Sequence, residues 1–163
     1  MGLSSNILWH QTTLDGLKGI LNEQGFFYSY SLESILSRES KNNLNVAFPM
    51  VSLCDLPFSE LNDYIKKYGG YLIGMKRTWG KSNGLAPVWY CDSESTILNA
   101  IIDRYNQIEV NIKNGKNFTI SREIFLYTLS HIKNYEGQLI AHDFNKYRFY
   151  DEREFRSVPR YKD

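Results

Sequence analysis

Within Asp151-Glu152-Arg153-Glu154-Phe155-Arg156, two carboxylates stand two residues apart. In an extended strand the side chains alternate, so Glu152, Glu154 and Arg156 share one face while Arg153, Phe155 and Ser157 take the other. Two carboxylates on one face repel, so that one holds its proton more tightly or draws in a cation-like group. Chemistry that uses such a pair includes stabilising the oxocarbenium-like ribose formed when a glycosidic bond breaks. The plainer alternative is an edge strand on which Glu and Arg simply pair.

Three other stretches carry candidate residues. In Trp9-His10-Gln11-Thr12, a histidine after a short strand, with a hydroxyl two residues on, can hold a ribose or an amide by directional hydrogen bonds. The alternative is a histidine satisfied in the core beside Trp9. In Met50-Val51-Ser52-Leu53-Cys54-Asp55-Leu56-Pro57, Ser52 and Cys54 share one face of a strand. Asp55 is placed to cap the helix that Pro57 opens, and Ser52 remains as a small polar group for a cleft. In Tyr68-Gly69-Gly70-Tyr71 the glycines allow close approach and the rings of Tyr68 and Tyr71 could wall a stacked base or nicotinamide, or simply join an aromatic core.

Other chemistries lack their motifs. There is no Gly-x-Gly-x-x-Gly, no phosphate-binding loop and no Gly-x-Ser-x-Gly elbow. His10, His131 and His142 have no zinc-like spacing with a nearby carboxylate, so no metal is expected. Nineteen Lys plus Arg against eighteen Asp plus Glu leave a formal charge of +1, which excludes a polybasic nucleic-acid binder and an acidic disordered tail. Arg148, Arg153, Arg156, Arg160 and Lys162 crowd the C-terminal segment. The acids among them make this strip a site rim or partner face rather than a nucleic-acid footprint. Cys54 and Cys91 read as buried free thiols. No apolar run approaches the roughly 20 residues of a membrane helix, and the N-terminus lacks the basic flank and apolar stretch of a signal peptide. Met1-Gly2 fits a myristoylation signal only loosely, because Asn6 stands where Ser or Thr is needed. A cytoplasmic, non-membrane setting is the expectation.

The 163 residues, 42% of them hydrophobic, suit one globular domain spanning 1–163. Twelve Tyr and nine Phe suit a core or cleft with many polar-tipped rings. Ile7 to His10 reads as a strand, followed by a helix capped by Thr12 or Thr13 and stopped by Gly25. Ser31 to Ser37 reads as a second short helix and Lys41 to Asn45 as loop. Ala47 to Leu53 is a buried strand. A helix from Pro57 to Lys67 turns Phe58, Leu61 and Ile65 inward. Strands follow at Tyr71 to Met75 and Pro87 to Cys91, around a turn at Trp79 to Gly84. A helix opened by Ser93 to Thr96 presents Ile97, Ala100, Ile101 and Ile108 on one side and ends at Asn114-Gly115. Another begins at Ser121, and the chain after Gly137 is again extended. Strands toward both ends with helices between them indicate an α+β domain rather than a doubly wound parallel sheet.

Many separate blocks occur in an order that resembles the bacterial abortive-infection AbiGi family. They include Leu8-Trp9-His10, Leu17-Lys18-Gly19-Ile20-Leu21 with Gly25-Phe26, Phe48 to Pro57, Tyr68-Gly69-Gly70-Tyr71 with Ile73-Gly74, Trp79-Gly80, Pro87-Val88-Trp89-Tyr90, and Phe149 to Pro159. The resemblance spans about residues 6–160, and Phe155 departs from it where Trp is expected. It implies one half of a two-gene phage-resistance system, with a cognate toxin, antitoxin or phage protein as partner. A strand ending in His and Thr, then Leu-x-x-Ile-Leu-x-x-x-Gly, also looks like the opening of the ADP-ribosyltransferase fold, closest to the DNA-modifying DarT toxins. That likeness implies a split antiparallel or mixed sheet with helices from the N-terminal and middle segments. It implies NAD as substrate and a protein or nucleic acid as acceptor. Glu154 would contact the nicotinamide ribose and Glu152 the acceptor, His10 would hold a ribose of NAD, and Ser52 would brace Glu154. The alternative is a non-catalytic antitoxin or sensor that keeps the fold and binds a partner.

Overall fold

A computed structural model describes residues 6–37, 42–68, 70–117, 119–139 and 144–159. Strand β1 (Ile7–Thr12) leads into helix α1 (Leu14–Glu23), where the Thr13 hydroxyl accepts the Gly16 N–H at 3.2 Å as the N-cap. The stop expected at Gly25 falls one residue earlier: Gln24 itself takes the left-handed conformation, φ 53°, that ends the helix. Next come strands β2 (Ser29–Ser37) and β3 (Asn42–Cys54). The helix expected over Ser31 to Ser37 is therefore a strand, and the loop expected at Lys41 to Asn45 is strand from Asn42 on. Leu32, Ile35 and Leu36 imitate helical spacing, but β2 finds an antiparallel partner in β3 from Ser29↔Met50 to Ser37↔Asn42, and that pairing decides.

A 3₁₀ turn (Phe58–Glu60) precedes helix α2 (Leu61–Tyr68), strand β4 (Tyr71–Lys76) and helix α3 (Arg77–Ser82). Leu61 is buried, but Phe58 is 79% exposed: the 3₁₀ turn swings it away from the face that α2 buries. Pro57 precedes the turn with no side-chain cap. Asp55, expected to cap, is instead buried and paired with Arg77 at 3.2 Å. The segment expected as one strand from Pro87 to Cys91 divides into β5 (Ala86–Pro87) and β6 (Trp89–Cys91), which join different sheets.

Helix α4 (Thr96–Lys113) is capped by Ser95, whose hydroxyl accepts the Leu98 N–H at 3.2 Å, and α5 (Thr119–Leu129) follows. Ile97, expected inward, is exposed; Leu98, Ile102, Tyr105 and Ile108 form the buried stripe. Strands β7 (Ile132–Asn134), β8 (Gly137–Leu139) and β9 (Phe144–Tyr147) lead to a 3₁₀ turn (Phe149–Glu152) and strand β10 (Glu154–Ser157). The stretch expected as continuously extended from Tyr147 to Val158 is thus broken at Phe149–Glu152. Arg153 in the left-handed region, φ 45°, turns the chain into β10.

The main sheet is antiparallel in the order β4-β1-β3-β10-β5, with β2 also on β3. The long β3 curls the sheet by pairing β2 through its first half and β1 and β10 through its second. β6 and β7 pair in parallel, and the helices are interspersed among the strands, so the fold is α+β. One core lies between the hairpin and the helices: Ile35, Phe48, Met50, Leu98, Ile102, Tyr105, Leu129 and Ile132. A second gathers Leu8, Val51, Leu53 and Leu85 with Phe155, and a third Cys54, Leu56 and Leu61 with Trp9. Among the described residues no helix is long and apolar enough to cross a membrane.

Candidate functional site

Alternation along β3 and β10 builds the site. Phe155 lies opposite Leu53 and joins the apolar core, so the intervening Glu154 and Arg156, opposite Cys54 and Ser52, point to the other face. There a cleft of about 550 Å³ opens between β1, α1, β2, β3 and β10, within the range of small-molecule sites. His10, Thr12, Ser52, Glu152 and Glu154 line it. Tyr71 does not; it sits at the outer end of β4, paired with Thr12 and exposed. The Tyr68 side chain and His142 lie outside the described residues.

Glu154 is held from two sides. Arg156 Nε and Nη2 donate to its two oxygens at 2.7 and 3.0 Å, and Lys133 Nζ donates to Oε2 at 3.0 Å. The Ser52 hydroxyl donates to Met50 Sδ at 3.5 Å, and the Glu154 backbone N–H donates to the Tyr90 hydroxyl at 2.8 Å. Lys133 donates in addition to Glu152 at 2.8 Å, and the Tyr147 hydroxyl reaches Glu152 too. Arg156 is fully buried; it completes its fork on the Ser130 carbonyl at 2.7 Å and on Glu33 at 2.7 Å. The guanidinium, always charged, thus finds an acceptor for each nitrogen, the condition for burying such a group.

The electrostatics follow from the geometry. Burial opposes ionisation of Glu154, but Lys133 and Arg156 outweigh it and hold the carboxyl well below its usual range. Burial likewise disfavours the Lys133 ammonium, and Glu154, Glu152 and Glu33 reverse that, pushing it up. At Glu33 burial wins over Arg156 and raises the carboxyl. His10 Nδ1 is 2.9 Å from the Ser52 carbonyl and its ring meets Phe26 edge-on. Burial lowers its affinity for a proton more than the Ser52 bond restores it. Cys54 is pushed up to about 12, mainly by burial, so it is an inert thiol. The Thr12 hydroxyl faces Gly16, where a Cβ would collide with it, so the glycine keeps that corner of the cleft open.

Sequence reasoning found the two glutamates and Ser52 but not Glu33 and Lys133, which join them. Glu33 falls on the face of β2 shared with Ser31 and Ile35, a period-two signal masked by the helical imitation. Lys133 carries no local signal. Among the described residues no cluster of His, Cys, Asp and Glu could hold a metal ion.

The family model described as "Putative abortive phage resistance protein AbiGi, antitoxin" matches residues 24–163. A curated relative from Lactococcus lactis subsp. cremoris, "Abortive phage resistance protein AbiGi", is 25% identical over 153 residues. The match takes in 82% of this chain and 60% of the relative, so the chain spans about 60% of the length of that curated relative. No solved structure matches.

Proposed function

This chain belongs to the AbiGi family of abortive phage-resistance proteins, and from that membership and the cleft we propose that it is a non-catalytic antitoxin or sensor module that binds a partner toxin or phage component. The observation that carries this reading is the neutralisation of Glu154. Both of its oxygens are taken by Arg156, and one also by Lys133. A carboxylate that stabilises a developing positive charge must present its field to the reacting atoms. Here two cations already sit in that field, and Lys133 would repel a third positive centre. The cluster serves better as a rigid floor that fixes the cleft's shape. The test is affinity purification of the tagged chain co-expressed with the product of the neighbouring gene. A stoichiometric complex supports the reading; a folded chain that elutes alone overturns it for that partner.

One observation favours a second reading, an NAD-dependent mono-ADP-ribosyltransferase-like domain. His10 and Thr12, Ser52, and Glu152 and Glu154, from three separate stretches of the sequence, line one cleft. Incubation with NAD, followed by NMR for released nicotinamide, separates the two. Release by the wild type that is lost in Glu154→Gln would establish turnover. No release from a well-folded sample leaves the binding module.

A further inference from the structure

The antiparallel register of β2 on β3 runs unbroken from Ser29 to Ser37. In such a pair, residues alternate between those that exchange hydrogen bonds with the partner strand and those whose backbone groups point off the other edge. Leu36 fixes the phase. Its N–H donates to Asn134 Oδ1 at 2.8 Å, and its carbonyl accepts from Asn134 Nδ2 at 2.9 Å. The Asn134 side chain thus imitates one rung of a neighbouring strand. Pro49, opposite Tyr30 and without an N–H to give, fits the same phase. Two residues at a time back along β2, Ser34, Leu32 and Tyr30 therefore aim their N–H and carbonyl groups off the same edge. Among the described residues β3 is the only strand that pairs with β2.

The outer-face side chains of that stretch are as unprotected as its backbone. Tyr30 is 78% and Leu32 71% exposed. On the same outer face lie Ser34, Leu36 and, from β3, Asn45, Ala47 and Pro49, none of them charged. Exposed edges are ordinarily guarded by Lys, Pro or a bulge. No Lys, Pro or bulge guards Tyr30–Ser34, and its one charge, Glu33, is turned into the cleft and paired with Arg156 at 2.7 Å, while Leu36 just beyond it is capped.

We propose that the β2 edge is a homodimer interface, in which a second copy pairs antiparallel along Tyr30–Ser34 about a two-fold axis at Leu32. Leu32 then lies opposite itself and Tyr30 opposite Ser34 of the second copy, so each outward N–H and carbonyl in the window finds its counterpart. An isologous contact sets every group near the axis against its own copy, so any charge there would repel itself. The uncharged outer face meets that requirement, on the cleft face Glu33 beside the axis is already paired with Arg156, and one contact covers the exposed edge of both chains. Ser29, Ser31 and Glu33 of the same strand line the cleft, so the added strand runs along the cleft's wall.

Light scattering of the full chain during size exclusion reads the mass directly. The expected value is twice the 19.1 kDa of one chain. Leu32→Lys places like charges on the axis, and Ser34→Pro removes one outward N–H without touching the β3 ladder; each is expected to return the mass to that of one chain. Hydrogen exchange supplies an independent readout. The Tyr30, Leu32 and Ser34 amides are expected to be protected at high concentration and to exchange quickly on dilution. A monomeric wild type overturns the proposal, including one that gains protection at these amides only when another protein is added. So does a dimer whose mass survives both substitutions, or one whose β2 edge amides exchange freely.

Discussion

From Asn42 to Met50, β3 lies against helices, and its inward side chains Leu44, Val46, Phe48 and Met50 meet other apolar groups. From Val51 to Cys54 the same strand borders the cleft, and its cleft face sits beside Glu154, Arg156 and Lys133. The first region is held by area removed from water, where each fully buried large side chain stabilises by roughly 1.5–3 kcal/mol. The second is held by reciprocal satisfaction, where each ion is tolerable only because the others are present. Damage to the apolar region should be graded and indifferent to pH. Damage to the charged region should be abrupt and pH-dependent.

The largest effect is expected at Arg156. Arg156→Ala strands Glu154 and Glu33 beside a single ammonium, and breaking a buried pair from one side costs about 3–5 kcal/mol. Urea unfolding at neutral pH measures it. The pH dependence gives the sign. The carboxyl of Glu154 is depressed in the folded chain, so its contribution is full above the ordinary carboxylate range, begins to be lost as pH falls below about 4, and is gone only at the depressed folded value well below that. The variant loses the share of that contribution that Arg156 supplies and keeps the share from Lys133, so the gap between the two chains should narrow in acid. A gap of constant size would mean that Arg156 acts by packing alone.

Leu98→Ala should come next, at about 2–5 kcal/mol depending on how far the site collapses. Leu98 is fully buried in the helix-covered core, and no charge changes, so its cost should be the same at pH 5 and pH 8. A strong pH dependence here would erase the distinction between the two halves of β3. A smaller effect is expected at His10, whose proton affinity burial lowers. Such a group favours folding in its neutral form, so stability should fall as pH drops through its ordinary range near about 6.5. His10→Gln should flatten that part of the profile in thermal unfolding scans between pH 8 and pH 5.

Local rules explain which parts of this architecture could be read in advance. The caps at Thr13 and Ser95 and the exit at Asn114-Gly115 need only neighbouring residues, and each appears where its residue type demands. The pairing of Glu with Arg in the C-terminal segment was likewise within reach, because both stand on one short strand. Ser29 to Ser37 was not. Its apolar residues satisfy a helical spacing as well as an alternating one, and only β3 settles the choice. Glu33 went unseen with it, and Lys133 enters the cluster from a strand with no pattern of its own. The cleft's charge balance is therefore a property of tertiary assembly, although Glu152 and Glu154 stand only two residues apart in sequence.

The smallest predicted effect is the sharpest check on the helix-covered region. Ile97 and Leu98 are neighbours of similar volume, and periodicity alone favours Ile97 as the inward residue. In the folded chain Ile97 is 69% exposed and Leu98 is fully buried. The difference comes from packing: Leu98, Ile102 and Tyr105 join Ile35, Phe48 and Met50 of β2 and β3 in one core, while Ser95 as N-cap only closes the first turn by accepting the Leu98 N–H. Ile97→Lys should therefore alter stability by no more than about 0.5 kcal/mol. Ser95→Ala should cost about 1 kcal/mol through the lost cap. If Ile97→Lys proved as costly as Leu98→Ala, the helix would be rotated about its axis from the arrangement described, and the apolar half of β3 would face a different surface.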